Sequence, residues 1–182
     1  MDIKSKICIN CILNETIPGI KFDSRGICSF CKLHQKLDKD FPINGNEDEF
    51  HNLIEKIKYK GRNNKYDCVV GVSGGTDSSY TLYMAKKLGL NPLAVHFDNG
   101  WNTELSVSNI YNLLKKLNID LQTYVVDWEE FKDIQLSFLK ASVPDAEQPT
   151  DLGIVSVLYR IASENKIKYI LNGVSFRTGG NI

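Results

Sequence analysis

Short apolar runs alternate with helical patterns along most of this chain, and that alternation is the feature that most restricts its fold. The runs lie at 67–72, 92–97, 121–126 and 168–171. Between them, apolar residues recur at helical spacing in 76–88, 107–117 and 154–162, and a further helical pattern at 50–57 precedes the first run. Strands that alternate with helices predict an α/β fold, a parallel sheet with helices on both faces. Ligands of such sheets bind at the carboxyl ends of the strands.

The helix predicted between the first two strands has a recognisable apolar side. Its large residues are Tyr80, Tyr83, Met84 and Leu88, which share one side at 3.6 residues per turn, and Gly89 follows as a stop. We therefore predict a helix over 76–88 that presents these four residues on one side.

Length and charge exclude several classes of protein. The chain has 182 residues, which supports one core, or one core with a small stapled module. Its 22 basic and 22 acidic residues give zero net charge, so it lacks the basic field of a nucleic-acid-binding protein. No apolar run is long enough to span a bilayer, and the first residues lack the apolar segment of a signal peptide. We expect a cytoplasmic protein with no membrane partner.

Four cysteines form two pairs near the start of the chain. Cys8 and Cys11 are separated by two residues, as are Cys28 and Cys31, and this spacing is typical of a four-cysteine zinc site. A segment this short has no apolar core, so Zn²⁺ would supply most of its folding energy. Two disulfides or an iron–sulfur cluster are the alternatives. The fifth cysteine, Cys68, falls in the first strand and reads as a small buried apolar residue.

The chain divides near residue 45. Residues 1–45 read as the zinc module and a linker, with 8–31 loop-like and 38–46 rich in turn-forming and charged residues. Residues 46–182 read as the α/β domain.

A glycine-rich turn follows the first strand. Residues 72–79 read VSGGTDSS and lack the lysine of a Walker loop. Gly74 and Gly75 permit positive φ and close approach of an anion, and the hydroxyl groups of Ser73, Ser78 and Ser79 add donors. The N–H groups at the start of the next helix point at the same place, and Asp77 interacts favourably with the helix dipole. The alternative is a tight turn capped by serine.

This turn resembles the SGGxDS signature of the PP-loop ATP pyrophosphatases. Together with the cysteine pairs, the runs HFDNGWN (96–102), EQPTD (147–151) and LNGVSF (171–176) resemble the N-acetyl sugar amidotransferase branch of that superfamily. The resemblance implies a PP-loop fold of the adenine nucleotide alpha hydrolase type. It also implies adenylation by ATP of the acetamido group of an N-acetylated sugar or sugar nucleotide, with replacement of oxygen by nitrogen. Ammonia would come from a partner glutaminase subunit, in surface-polysaccharide or flagellin-glycan biosynthesis.

The resemblance assigns roles to individual residues. Those that would bind the phosphates of ATP with Mg²⁺ are Ser73, Gly74, Gly75, Asp77, Ser78 and Ser79, with Asp77 and Ser78 closest to the chemistry. Phe97 and Asp98 would lie beside the adenosine, and Gly173 would face the same crevice. From the residues alone, Asp98 also suits a plain turn, and Trp101 and Trp128 suit packing.

Two other functions remain open at this point. One is a tRNA-modifying PP-loop enzyme, for which 56–65 (KIKYKGRNNK) offers a locally basic stretch. The other is a non-catalytic nucleotide-binding module whose zinc knuckle docks a partner. Because members of the amidotransferase branch are longer, we expect this chain to be their N-terminal portion, with the acceptor site beyond it.

Overall fold

The computed structural model describes residues 5–43 and 45–177, and these form two compact units. One unit contains the residues up to Asp48 together with the segment that begins at Val174, and the other spans Glu49–Gly173. No sequence pattern indicated that the chain returns to its first unit after the last strand. Each unit is described by itself below.

The first unit combines a cysteine-rich segment with a helix. Two isolated antiparallel bridges, Ile7 with Asn14 and Phe22 with Cys28, organise the segment. The helix α1 spans Ser29–Asp40, and the sulfur of its N-cap, Cys28, accepts a hydrogen bond from the Cys31 N–H. The prediction of loop up to residue 31 and linker from residue 38 is therefore wrong at 29–31 and 38–40, which are helical. The helix stops before Pro42, because the residue that precedes a proline is driven out of the helical region.

The segment after the last strand packs onto α1. Arg177 places Nε and a terminal guanidinium nitrogen 2.8 and 2.7 Å from one carboxylate oxygen of Asp38. Phe176 meets the ring of His34 edge to face, with 5.5 Å between centroids. His34 also lies 3.0 Å from the other Asp38 oxygen. An ion pair and an aromatic contact thus fix this segment on the helix.

The second unit is a four-stranded parallel sheet with helices on both faces, which confirms the predicted fold class. The strands are β1 Cys68–Gly71, β2 Pro92–Asp98, β3 Leu121–Val125 and β4 Ile170–Leu171, in the order β3-β2-β1-β4. The helices are α2 Glu47–Gly61, α3 Thr76–Lys87, α4 Glu104–Leu117, α5 Trp128–Lys140 and α6 Gln148–Glu164. Within the described residues, no helix has the length and apolar character needed to cross a bilayer.

Alternate residues of the buried strands face two different cores. Cys68 and Val70 pack among residues of α2, α3 and α4, whereas Val69 packs among residues of α6. This alternation follows from the two-residue period of a strand. Cys68 is fully buried, as predicted, and burial raises the pKa of its thiol to about 12.

Two helices of the second unit differ from the sequence prediction. The buried residues of α3 are Leu82 and Ala85, while Tyr80, on the predicted apolar side, is 61% exposed. The helix α5 was not predicted, because Phe131 is its one buried residue and its other apolar side chains show no clean stripe. β3 is one of the two edge strands of the described sheet and all of its residues are exposed, so its apolar run reflects strand propensity more than burial.

Replacing Leu82 of α3 with alanine tests the described core, with the exposed Leu105 of α4 as a control. Leu82 is fully buried and Leu105 is 72% exposed. We expect Leu82→Ala to lower the free energy of unfolding by about 2–5 kcal/mol, because it removes buried methyl groups and leaves a cavity. The control Leu105→Ala should change it by less than about 0.5 kcal/mol. Urea denaturation measures both, and equal losses in the two variants would contradict the described core.

Candidate functional site

The glycine-rich turn lies where the order of the strands reverses. β2 and β3 lie on one side of β1 and β4 lies on the other, so the carboxyl end of β1 borders the crevice at which open α/β sheets bind ligands. Residues 72–75 leave β1 there, and α3 begins directly after them at Thr76. The predicted location of the site follows from this topology.

Gly74 holds the turn against α4. Its φ is +78°, a conformation that other residues rarely adopt, and a Cβ here would lie 2.8 Å from the Ser106 Cα. The Asn109 side chain donates a hydrogen bond of 3.2 Å to the Gly74 carbonyl oxygen. Gly74 is buried. The sequence predicted that Gly74 lets an anion approach the backbone. In the structure, the group that lies close to Gly74 is instead the backbone of α4.

Gly75 differs from the prediction in another way. Its φ is −82°, so it does not need the positive φ that the two glycines suggested. It is the N-cap of α3, supplies no side-chain hydrogen bond to the helix, and is exposed. A Cβ at this position would meet one neighbour, the Ser73 Oγ, at 3.5 Å. No side chain of the N-cap residue therefore satisfies the first N–H groups of α3.

Ser78 closes the turn on itself. Its hydroxyl group accepts a hydrogen bond of 3.2 Å from the Ser73 N–H and donates one of 3.3 Å to the Gly75 carbonyl. The hydroxyl oxygens of Ser73 and Ser78 are also 3.2 Å apart. Ser73 and Asp77 are exposed, whereas Ser78 and Ser79 are half-buried. Ser78 thus fixes the shape of the turn, and Ser73 and Asp77 line its open side.

A buried histidine supports the turn from β2. His96 Nδ1 lies 2.9 Å from the carbonyl oxygen of Val72, the residue that leads into the turn. Because a carbonyl only accepts, Nδ1 carries the proton. Sequence reasoning did not single out His96. The available signal was one polar residue inside an otherwise apolar buried strand.

The residues after β2 form a bonded turn. The Asp98 Oδ1 accepts hydrogen bonds from the Gly100 N–H at 3.1 Å and from the Asn102 side chain at 2.8 Å. Asn99 is buried, and its amide donates to the Thr150 hydroxyl at 3.1 Å. The motifs 96–102 and 147–151, far apart in the sequence, therefore meet through this bond.

Phe97 and Gly173 occupy different surroundings. The Phe97 ring stacks on Tyr124, with 6.2 Å between centroids, and packs on the α6 face of the sheet. A Cβ on Gly173 would lie 2.9 Å from the Asp77 carbonyl oxygen, so the chain after β4 passes directly beside the first turn of α3. Gly173 thus joins the turn, whereas the Phe97 side chain points into the core.

The two tryptophans lie beside this turn. Their rings meet edge to face, with centroids 5.6 Å apart and planes at 72°. Trp101 is 63% exposed and Trp128 is 40% exposed. The expectation that they serve in packing is therefore wrong for Trp101, most of whose surface faces solvent.

The four paired cysteines converge in the first unit. Their sulfur atoms all lie within 4.8 Å of one another. Cys8 and Cys31 are 3.9 Å apart and Cys11 and Cys28 are 3.7 Å apart, sulfur to sulfur. A disulfide requires about 2.05 Å. Four thiolates around Zn²⁺ at about 2.3 Å would be about 3.8 Å apart, so the arrangement fits a tetrahedral zinc site.

Backbone groups favour the thiolate form of Cys8, whereas its neighbours in the cluster raise the pKa values of Cys11 and Cys31. The Cys8 sulfur accepts hydrogen bonds from the N–H groups of Asn10 at 3.4 Å and Cys28 at 3.2 Å. Burial raises the pKa of Cys8, but these hydrogen bonds outweigh it and lower that pKa to about 6. The Asn10 side chain donates to the Cys31 sulfur at 3.3 Å. Such surrounding donors orient metal ligands.

Comparison with known proteins identifies the family. The model of the family described as queuosine biosynthesis protein QueC matches residues 67–164, which is more than half of the chain. The chain belongs to the QueC family. This membership confirms the PP-loop superfamily that the turn predicted, and it leaves the N-acetyl sugar branch undecided.

Individual relatives cover the chain to different extents. An uncharacterized protein of Methanocaldococcus jannaschii is 27% identical over 94% of this chain and 58% of its own length. The 7-cyano-7-deazaguanine synthase of Nitratiruptor sp. is 41% identical over 39% of this chain and 32% of its own. The GMP synthase (glutamine-hydrolyzing) of Pyrobaculum aerophilum is 30% identical over 63% and 22%. The chain thus spans less than two thirds of the length of these curated relatives.

A solved structure agrees on the fold alone. The glutamine-dependent NAD+ synthetase of Acinetobacter baumannii, in complex with ADP, superposes with a TM-score of 0.51 at 14% identity. The alignment covers 65% of this chain and 22% of that one.

Metal analysis tests the cysteine cluster. We expect purified protein to contain about one zinc per chain, and Cys28→Ser to lose it, because three thiolates and a hydroxyl bind zinc poorly. Cys68→Ala is the matched control, since Cys68 is buried in the sheet and is not one of the four clustered cysteines, and it should keep its zinc. Elemental analysis that finds iron, no metal, or equal zinc in both variants would contradict the assignment.

The two glycines of the turn should respond differently to alanine. Gly74→Ala forces an unfavourable φ and a collision with Ser106, so we expect it to lower the free energy of unfolding by about 1–3 kcal/mol or more. Gly75→Ala introduces neither problem and should leave stability within about 0.5 kcal/mol. Chemical denaturation measures both. Equal destabilisation would show that the turn is not held as described.

Proposed function

We propose that this chain is the ATP-binding part of an amidotransferase that adenylates the acetamido group of an N-acetylated sugar and replaces its oxygen with nitrogen from ammonia. The observation that carries the proposal is the turn at 72–79, closed by Ser78 and open at Gly75, in a member of the QueC family. The comparisons support ATP-dependent nitrogen transfer as the class of reaction. The sugar acceptor rests on the resemblance of the four motifs.

The turn suits the phosphates of ATP. Uncapped N–H groups at the start of α3 and the exposed Ser73 hydroxyl offer donors to an anion, and the helix dipole favours negative charge there. Gly75 leaves room for phosphate oxygens where any side chain would intrude. The exposed carboxylate of Asp77 is an oxygen ligand of the kind that Mg²⁺ prefers beside phosphates.

The chemistry proceeds in two displacements. The acetamido oxygen attacks the α-phosphorus of ATP, the bond to the β-phosphate oxygen breaks, and pyrophosphate leaves. Ammonia then attacks the activated carbon and AMP leaves with the former acetamido oxygen, which gives an acetamidino group after loss of a proton. No protein nucleophile is needed. The residues of the turn would position the phosphates by hydrogen bonds, and an Mg²⁺ ion held at Asp77 would offset their charge; such positioning supplies much of the rate.

The proposed partners follow from this chemistry. A glutaminase subunit would supply ammonia, and the zinc module would be structural, because cysteines fill all four ligand positions. Nucleic acid is not among the proposed partners. The net charge is zero, and basic residues of 56–65 already have partners: Lys58 pairs with Glu55, Lys65 pairs with Asp120 and Arg62 stacks on Tyr59.

A second candidate acceptor is a purine-type heterocycle. It is favoured by the family match and by the names of two relatives, 7-cyano-7-deazaguanine synthase and GMP synthase. Both candidates use the same ATP site and differ in the molecule that is adenylated.

The experiment supplies ATP, Mg²⁺ and ammonium with a panel of acceptors to the longer protein of which this chain is the proposed ATP-binding part. The proposal expects AMP and pyrophosphate to form in the presence of an N-acetylated sugar or sugar nucleotide. It also expects a product about 1 Da lighter than the acceptor, because an NH group replaces an oxygen atom. This replacement requires ammonia at near-attack distance from the activated carbon. The matching amino sugar without its acetyl group is the control. Turnover with a deazapurine acceptor alone would favour the second candidate, and formation of ADP and phosphate would refute both.

Asp77→Ala tests the proposed phosphate and magnesium site. We expect it to weaken binding of Mg²⁺-ATP at least tenfold, while the lost interaction with the helix dipole costs only about 0.3–1 kcal/mol of stability. Asp48→Ala is the matched control, because Asp48 is likewise exposed and the second residue of its helix. Titration calorimetry measures both affinities. Unchanged nucleotide affinity in Asp77→Ala would overturn the role given to Asp77.

A further inference from the structure

We propose that Trp101, braced by Trp128, is the stacking platform for the purine base of bound ATP. The proposal rests on the ATP binding proposed above, and it assigns a role to two residues to which neither the resemblance nor the family match has given one. It is argued from the exposure of the rings, their support and their place along the sheet edge.

Trp101 presents an aromatic surface that the fold leaves open. It is 63% exposed although the loop that carries it is well fixed. Its ring contacts the Trp128 ring edge to face, a geometry that leaves most of a ring face uncovered. In the described part of the chain, neither indole N–H donates a hydrogen bond. A large exposed aromatic ring in a fixed loop is suited to stacking on a flat ligand.

The loop holds Trp101 in place before any ligand arrives. The Trp101 N–H donates to the Asn99 Oδ1 at 3.2 Å, and Asn99 is itself buried and bonded to Thr150. Gly100 lets the Trp128 ring lie on the backbone, since a Cβ there would be 2.9 Å from the Trp128 Cε3. Little conformational freedom would be lost on stacking, which favours affinity.

The position along the sheet selects the base rather than another part of the reactants. The turn that would hold the phosphates follows β1, whereas Trp101 follows β2 and Trp128 follows β3. Adjacent strands are about 4.8 Å apart, so the pair lies roughly 5–10 Å along the edge from the phosphates. A ribose spans such a gap between phosphate and base.

The acceptor is less suited to this place. Its oxygen must lie about 3–3.5 Å from the α-phosphorus to react, which puts it near the turn that follows β1. Residues 99–103 (NGWNT) are also uncharged, which suits a neutral heterocycle better than another phosphate group. The purine base is therefore the part of the reactants that best fits beside the carboxyl ends of β2 and β3.

The test compares ATP with inorganic tripolyphosphate, which has the phosphates and no base. Binding is followed by calorimetry and by quenching of tryptophan fluorescence, in the wild type and in Trp101→Ala, Trp101→Phe and Tyr159→Ala. Tyr159 is the matched control, an aromatic residue 68% exposed on α6. Circular dichroism checks that each variant is folded.

We expect Trp101→Ala to raise the Kd for Mg²⁺-ATP about 5- to 100-fold, the usual effect of removing one stacked base contact. The Kd for tripolyphosphate should stay within about twofold, because phosphate binding needs no ring. Trp101→Phe should recover most of the ATP affinity, and Tyr159→Ala should match the wild type.

Three results would overturn the platform. One is an unchanged Kd for ATP in Trp101→Ala, and another is an equal loss for ATP and tripolyphosphate, which would mean that Trp101 shapes the phosphate turn. The third is a loss confined to the acceptor, which would assign Trp101 to the sugar. Wild-type protein that binds no ATP would refute the proposed function and the platform together. Binding of ATP with no amidine product, in the longer protein that includes the acceptor site, would refute the proposed function alone.

Discussion

The site depends on one close contact, that of the Gly74 backbone with the first turn of α4. The turn can run this close only because residue 74 has no side chain and a φ of +78°. The hydrogen bond from Asn109 and the imidazole of His96 hold the same stretch from two other directions. With its backbone fixed in this way, the turn leaves Gly75 and the start of α3 open to an anion without rearrangement. Such preorganisation is what an electrostatic binding site requires.

The two units obtain their stability from different sources. The sheet buries apolar side chains on both faces, and its strands satisfy their backbone groups by pairing. In the first unit, the main cluster of buried residues consists of the cysteines themselves. Sulfur–metal bonds there would take the place of an apolar core. The ion pair between Arg177 and Asp38 adds a contact across 139 positions of the sequence.

Local patterns predicted the sheet because strand burial and helix periodicity are encoded within ten or so residues. The cysteine cluster was predictable for a similar reason, since metal ligation constrains spacing directly. The helix α1 was missed because it starts within the second cysteine pair, where a sulfur atom rather than an oxygen caps it. For α5 a usable signal existed: Asp127 caps it by accepting from the Glu130 N–H, and acidic residues fill its first turn.

The parts of the site that escaped prediction depend on contacts between distant residues. The neighbouring sequence does not show that Gly74 has a positive φ while Gly75 is extended. The difference accompanies the close approach of Gly74 to Ser106 of α4, which is distant in the sequence. The bond of Asn99 with Thr150 and the support of Val72 by His96 are likewise products of the assembled sheet. Exposure of Trp101 was unpredictable from composition, since tryptophan is usually well buried.

A crystal structure with Mg²⁺ and an ATP analogue whose α–β bridge is methylene tests the central claim most directly, since the analogue cannot be cleaved at the bond in question. The account predicts β- and γ-phosphate oxygens within hydrogen-bond distance of the first N–H groups of α3 and of Ser73, with the Mg²⁺ beside Asp77. Phosphates placed elsewhere, with the turn at 72–79 empty, would contradict it.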